Sequence, residues 1–408
     1  MHEVAVPLRH FPAYRRLWLG QTVSQIGSQC TALALPLFAA LQLDATPAQM
    51  GLLAAMGTLP VAILSPFLGL WIDRQPHRLL LCAADIARAL LLLLIPLGAA
   101  FGLLRLELLY AIVLGVGCLT ALFDIACQAY VPTCLPAHKL PEGNSRLEVS
   151  RATAQVLGPA LAGGLLQMFS APLVILVDAA SFLCSALCIG AAGAGSASRA
   201  KVRPPFWRVL GVGIRHGWND PVLRALTGCT GTANFFGGAL TTLLLLYATR
   251  VLTLTPGTLG IVFASGSIGT VGGAVIAPRV LRHVGIGNTL RLAPLVAGLS
   301  GLLILATAWW PSTAIAFLVS ALALGGGGAQ LYGIAQLTVR QRRIPPDLFG
   351  SVSGALRTVT VGTAPLGAIL GGLIASHNGL WLALVLAVCG RLTAIVWIWP
   401  TPLLTPED

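Results

Sequence analysis

Charge is the first thing this chain lacks. Only 9% of its 408 residues are Asp, Glu, Lys or Arg, against about 25% in soluble domains. Lys139 and Lys201 are its only lysines. Two or three water-soluble domains are excluded. No Gly-x-x-x-x-Gly-Lys-Ser/Thr loop occurs, which argues against ATP-driven work by this chain alone. No zinc-type His pair or nucleophile elbow is present, and the seven His are scattered, so enzymatic catalysis has no evident carrier. The nine Cys form no Cys-x-x-Cys. Cys184 and Cys188 stand one helical turn apart, a spacing that reads as small-residue packing, and free thiols are expected. The polar faces that soluble helices need are also missing.

What is present is apolar length. Hydrophobic residues make up 56% of the chain, and the mean hydropathy is +0.85. Twelve stretches run over 14–41, 47–72, 79–101, 107–132, 146–169, 171–194, 222–250, 256–281, 287–308, 311–339, 349–374 and 378–399. About 20 apolar residues match the ~30 Å hydrocarbon core of a bilayer. The expected fold is an all-α membrane protein of twelve transmembrane helices.

Most of the 25 basic residues fall in every second gap: Arg9, Arg15 and Arg16; Arg74 and Arg78; Lys139, Arg146 and Arg151; a group from Arg199 to Arg224; Arg279, Arg282 and Arg291; Arg340, Arg342 and Arg343. The opposite gaps hold only Arg105 and Arg250. The positive-inside rule puts the first set and both termini in the cytoplasm. Topology thus accounts for the net charge of +12 without nucleic acid as a partner. No cleavable signal peptide is evident, so the first span is expected to persist as a helix. A multi-pass protein of a bacterial inner (plasma) membrane follows, the bacterial source suggested by the Arg, Ala and Gly bias.

Residues 195–221 form the longest cytoplasmic stretch. They divide the chain into 1–194 and 222–408, six spans each. Phe206, Trp207, Val209, Leu210 and Ile214 suit an amphipathic helix on the inner membrane surface, or a plain linker. The halves resemble each other. Thr46-Pro47, Gly51, Ala55 and Gly57 recur 209 positions later as Thr255-Pro256, Gly260, Ala264 and Gly266. Ile125-Ala126 and Pro136 recur as Ile334-Ala335 and Pro345, and Arg151 and Pro159 recur 206 positions later as Arg357 and Pro365. Equivalent spans run in the same direction. These parallel repeats are the plan of a two-bundle secondary transporter with its site near the midplane between the halves.

The loop after the second span reads Gly69-Leu70-Trp71-Ile72-Asp73-Arg74-Gln75-Pro76-His77-Arg78. With twelve spans and a six-plus-six repeat, it resembles the signature loop of the major facilitator superfamily. Gly69, Asp73, Arg74 and Arg78 match. Pro76 and His77 stand where Gly and Arg are usual. The resemblance implies a cytoplasmic latch against the opposite bundle, with Asp85 and Arg88 as an ion pair in support, since three residues' spacing shares a helix face. Gly158-Pro159-Ala160-Leu161-Ala162-Gly163-Gly164 resembles the element of proton-driven exporters, with Gly158, Pro159, Gly163 and Gly164 matching. Generic close packing reads the same residues equally simply. Gly20-Gln21, Asp85-Ile86, Val177-Asp178 and Pro345-Pro346-Asp347 are similar to the macrolide-efflux and siderophore-exporter branch.

Ionisable groups inside spans are costly and default to functional candidates. Asp124 is the first proton-coupling candidate. It lies mid-span near Gln128, on a helix that the resemblance places at the cavity, and a low-dielectric cavity disfavours a charged carboxylate. Asp178 and Asp85 follow, with Asp178 also readable as a buried structural carboxylate. Arg151 could neutralise Asp124. Arg357 has no such acid, because Gly333 stands at the repeat equivalent of Asp124, which leaves an anion site or a gate residue. Arg391 either snorkels or pairs. Further cavity candidates are the stripe Gln21, Gln25 and Gln29, then Gln128, then Asn234 with Phe235, then Gln330, Tyr332 and Gln336. Such groups orient bulky amphipathic molecules, or hydrogen-bond neighbouring helices.

The resemblance therefore implies a monomeric secondary transporter. It would export a drug-like, natural-product or siderophore-type molecule, be driven by protons, need no cofactor, and contact only substrate, protons and lipid. An importer or uniporter of the same fold and a lysophospholipid or lipid flippase stay open.

Overall fold

The computed structural model describes residues 8–72, 75–191, 211, 215, 217–344 and 349–400. Asp73 and Arg74 lie outside the described residues, as do most of 195–221 with its amphipathic segment, and 345–348.

Twelve α-helices are described: α1 Pro12–Leu41, α2 Pro47–Ile72, α3 His77–Ala100, α4 Leu106–Cys134, α5 Leu140–Met168, α6 Ala171–Ala191, α7 Pro221–Arg250, α8 Pro256–His283, α9 Ile286–Ala306, α10 Ala314–Arg343, α11 Phe349–Asn378 and α12 Leu380–Leu392, the last continued by a 3-10 turn over Thr393–Trp397. Ten are long and apolar enough to cross a membrane; α1 and α5 are not among them. The expected count of twelve spans is thus met by ten on that measure. The reason lies in the polar residues of the other two. Arg15, Arg16, Gln21, Gln25 and Gln29 occupy α1, while Glu142, Arg146, Glu148 and Arg151 occupy α5, which begins before the expected 146.

Local chemistry sets the helix starts. Asp220 precedes Pro221, and its carboxylate accepts from the backbone N–H of Val222 (2.8 Å) and Leu223 (3.0 Å). Proline at the first helical position loses no bond, because that N–H is unpaired anyway. Thr46 Oγ1 accepts from Gln49 N–H (3.3 Å), and Gln49 Oε1 accepts from Thr46 N–H (2.8 Å), a reciprocal capping box.

The repeat reappears in the backbone. Pro12 and Pro221, Pro47 and Pro256, His77 and Ile286, Leu140 and Phe349, and Ala171 and Leu380 are paired helix starts, each pair 209 positions apart. The turns match too. Ala45 N–H donates to Ala39 C=O (3.0 Å), and Leu254 N–H to Ala248 C=O (2.9 Å). Among the described residues the non-glycines with positive φ are Asp44 (47°) and Thr253 (49°), which hold equivalent positions in these turns.

The chain packs as two compact units. The first joins Met1–Phe38 to Ile63–Arg203; the second joins Ala39–Ala62 to Pro204–Asp408. The boundary at 203/204 falls inside the 195–221 segment. The second unit also takes the N-terminal part of α2, through close backbone approach. A Cβ on Gly51 would sit 2.2 Å from Ala368 C=O, and one on Gly372 2.4 Å from Pro47 C=O. Arg250 donates to the carbonyls of Ala40 (3.3 Å) and Ala45 (2.8 Å).

Each unit has its own core. In the first, Tyr14, Leu17, Leu81, Phe123, Tyr130 and Ile189 pack together, and Tyr14 OH donates to Gly143 C=O (2.7 Å). In the second, Leu243, Leu244, Tyr247, Leu318, Leu384 and Val388 do so. Large apolar side chains such as Leu90, Leu187, Val275 and Val396 stay exposed, as lipid contact requires.

Candidate functional site

The first unit buries a charge cluster where α3, α4 and α6 meet. Asp85 and Arg88 are one helical turn apart on α3, and both are buried. Arg88 Nη2 donates to Asp85 Oδ1, closing an ion pair. The guanidinium carbon lies 4.3 Å from the Phe123 ring centroid of α4 and 4.1 Å from that of Phe182 on α6. A desolvated cation over an aromatic face gains about 2 kcal/mol or more, so two rings help offset the cost of burying Arg88. The negative charges of Asp124 and Asp178 also act on it. Among the described residues Asp85 alone pairs with the guanidinium, and its Oδ2 is buried with no hydrogen bond.

Asp178 is buried on α6. Its Oδ1 accepts from Ser181 Oγ (3.1 Å) and from Ser28 Oγ of α1 (3.3 Å). Glycine makes this approach possible: a Cβ on Gly27 would lie 2.3 Å from Ser181 Oγ and 2.7 Å from Asp178 Oδ1. Asp124 and Gln128 are exposed on α4. Arg151 lies 4.0 Å from Glu148 on its own helix, both exposed, a pairing worth little. The Asp124 charge acts on the guanidinium of Arg88.

The remaining first-half candidates play packing roles in part. Gln21 Nε2 lies 3.7 Å from Cys127 Sγ, and Gln25 is half-buried on α1. A Cβ on Gly158 would lie 2.1 Å from Gln29 Cβ, so Gly158 is where α5 meets α1. Pro159 and Gly163 are buried, whereas a Cβ on Gly164 would meet nothing within 4 Å. Gly69 lies in α2. Arg78 donates to the carbonyls of Ile189 (3.2 Å) and Gly190, and Arg16 to that of Ala191. Two guanidinium groups thus cap the C-terminus of α6, where unpaired carbonyls and the helix dipole favour cations.

The second unit holds a cavity of about 700 Å³, a size typical of small-molecule sites. Its walls come from α7, α8, α9, α10 and α12, with Ala364 of α11. Three of the expected residues, Asn234, Tyr332 and Gln336, line it. Thr230 donates to Gln336 Oε1 (2.9 Å), Tyr332 OH donates to Leu226 C=O (3.1 Å), and Asn234 Nδ2 donates to Thr360 C=O (2.9 Å). Phe235, Gln330 and Arg357 do not line it. The Phe235 carbonyl lies against Gly367, Gln330 packs beside Gly273, and Arg357 is exposed on α11.

Arg391 does line the cavity. An arginine at the centre of a membrane-spanning helix costs about 2.5–3.5 kcal/mol on insertion scales; Arg391 is half-buried on α12 and makes no hydrogen bond or ion pair with any described residue. Snorkelling or pairing, the roles expected of it from sequence, would not have brought it to a site. The available signal was the absence of any Asp or Glu between Asp220 and Asp347, which leaves no acid in its half's spans to pair with it. All nine Cys are free. Among the described residues no cluster of His, Cys, Asp and Glu could hold a metal.

Twelve helices, ten of them apolar enough to span a membrane, arranged as a parallel repeat, define a polytopic transporter architecture. The profile of the Major Facilitator Superfamily matches residues 17–364, and the chain belongs to that superfamily of transporters. An uncharacterized MFS-type transporter, YfiS of Bacillus subtilis, is 30% identical over 171 residues, covering 42% of this chain and 40% of that protein. An uncharacterized MFS-type transporter, y4rN of Sinorhizobium fredii, is 25% identical over 98% of this chain and 97% of its own. The multidrug efflux pump Tap of Mycolicibacterium fortuitum is 27% identical over 87% of each. In fold, a bacterial homologue of the iron transporter ferroportin aligns with a TM-score of 0.75 at 17% identity, over 96% of this chain and 98% of that one. The nucleoside transporter NupG aligns at 0.73 and 13%, over 95% and 100%.

Proposed function

We propose that this chain exports small amphipathic molecules across the bacterial plasma membrane by alternating access, driven by protons, with both termini in the cytoplasm. The observation that carries the reading is its likeness to the multidrug efflux pump Tap over 87% of each chain. Exporter-like residues on α5 support it.

The proton route runs through the first-half cluster. Asp85 pairs with Arg88, and the charges of Asp124 and Asp178 act on the same guanidinium at longer range, so the group accommodates protons without a second buried cation. Asp124 is the exposed member and exchanges protons first; Asp178 follows. The substrate's apolar body occupies walls like those of the second-half cavity, where Asn234, Tyr332 and Gln336 orient it.

Proteoliposomes with an imposed inside-acid gradient test this. Substrate addition should move protons in the intact protein and not in Asp124→Asn. Unchanged coupling in that variant removes Asp124 from the route and leaves Asp178 and Asp85. Absence of proton movement with cationic, neutral and anionic amphiphiles alike, in folded protein, overturns proton-driven export.

A further inference from the structure

The repeat register relates the two buried features. Moving 209 positions along the chain carries Asp85 to Pro294, Arg88 to Ala297, Phe123 to Tyr332 and Phe182 to Arg391. In the first half these four residues are the plug: a carboxylate, a guanidinium and two rings in contact. In the second half all four equivalents line the cavity. The arginine has moved from the third helix of its half to the sixth, and the carboxylate has become proline.

Three observations show that this space is built for an occupant. Arg391 points no donor at any described protein acceptor. Gly237 and Gly333 both line the cavity, and a Cβ on either would meet nothing within 4 Å. With its Oε1 engaged by Thr230, Gln336 brings further amide N–H donors to the same walls. The rest of the lining is largely apolar, including Leu240, Leu244 and Phe263. A planar guanidinium matches a carboxylate bidentately, and such charge-assisted bonds are the strong ones.

We propose that the second-half cavity binds a small soluble organic anion, an apolar body carrying one carboxylate, which supplies to Arg391 the negative charge that Asp85 supplies to Arg88. The inference rests on the export reading only for what happens after binding; the site itself stands on the geometry. Arg391 also lies in the last turn of α12, where a cation meets the negative end of the helix dipole. That structural role is indifferent to a ligand's charge.

The test is equilibrium binding to the purified full chain in an uncharged maltoside detergent. Three isosteric probes are compared: naphthoate, naphthalenemethanol and naphthylmethylammonium. Naphthoate should bind about tenfold or more tighter than the other two, as one charge-assisted contact provides. Arg391→Gln should remove that preference and Arg391→Lys should restore part of it. Pro294→Asp places an internal carboxylate at the Asp85-equivalent position. It should abolish naphthoate binding while the alcohol still binds, and it keeps the proposal testable if Arg391→Gln fails to fold. Gly333→Leu should exclude all three probes. Equal affinity for the three, no binding of any, or a preference unchanged in folded Arg391→Gln or Pro294→Asp overturns the proposal. Displacement of naphthoate by lysophosphatidylglycerol assigns the site to a lipid headgroup and overturns a soluble substrate. Binding with these properties but no proton movement would retain the site and discard the export mechanism.

Discussion

The two halves of this chain began from one plan and treat an arginine within a span in opposite ways. Arg88 has a carboxylate on its own helix and an aromatic ring on each of two neighbouring helices. Arg391, at the position equivalent to Phe182, has a cavity in front of it and no described partner. Neutralising a charge inside the protein makes it part of the packing. Leaving it open makes it costly in the empty state and receptive to a ligand. Acid distribution decides which half can do which: the first-half spans contain Asp85, Asp124 and Asp178, whereas none stands between Asp220 and Asp347.

The comparison breaks most sharply at Arg88. Arg88→Leu should cost about 3–5 kcal/mol, because it leaves Asp85 buried and unpaired. The double change Asp85→Leu with Arg88→Met should recover most of that loss, read as the midpoint of thermal unfolding in detergent. Recovery no better than the single variant would mean that the pair is not a closed unit.

The mirror experiment is Arg391→Met. Removing an unpaired cation should raise the stability of the ligand-free protein by about 1–3 kcal/mol. A fall of similar size would show that Arg391 has a structural partner and that the halves are not opposites.

Glycine separates packing from empty space at a smaller scale. A Cβ on Gly269 would lie 2.0 Å from Ala323 C=O, so Gly269→Ala should cost about 1–3 kcal/mol through overpacking. Gly333→Ala meets no neighbour and should gain up to about 1 kcal/mol of helix propensity. Equal effects on the unfolding midpoint would refute the difference.

The smallest effect concerns the matched turns. Thr253 is β-branched and Asp44 is not, yet both hold positive φ. Relief of strain by Thr253→Gly should stabilise by about 1 kcal/mol, and Asp44→Gly by less, since Asp tolerates this region better. Reversed order would show that the two turns carry different strain.

Much of the local structure is legible in the chain itself. The expected stretches fall within a few residues of the observed helices, apart from the early start of α5, whose charged first turns hide it from an apolar criterion. The Asp85–Arg88 contact follows from three-residue spacing on one helix. Pairing Arg151 with Asp124 needs a contact across helices, which spacing cannot specify, and the structure sets Arg151 beside Glu148 instead. Gly333, which stands where the first half has Asp124, favours Arg357 as the anion site. The same lack of acids holds for every span of the second half, and the arginine at the cavity is Arg391, while Arg357 is exposed on α11.

The helices, the repeat and the superfamily can be read along one strand of residues, because each depends on apolar runs, helix-start residues and spacings. Packing in three dimensions was needed to bring Phe123 and Phe182 around Arg88, to let α1 reach Asp178 past Gly27, and to leave a space between helices before Arg391. Those facts depend on how side chains far apart in sequence fill or fail to fill a shared volume. Hydropathy measures whether a residue tolerates burial; it carries no information about which neighbour occupies the remaining space.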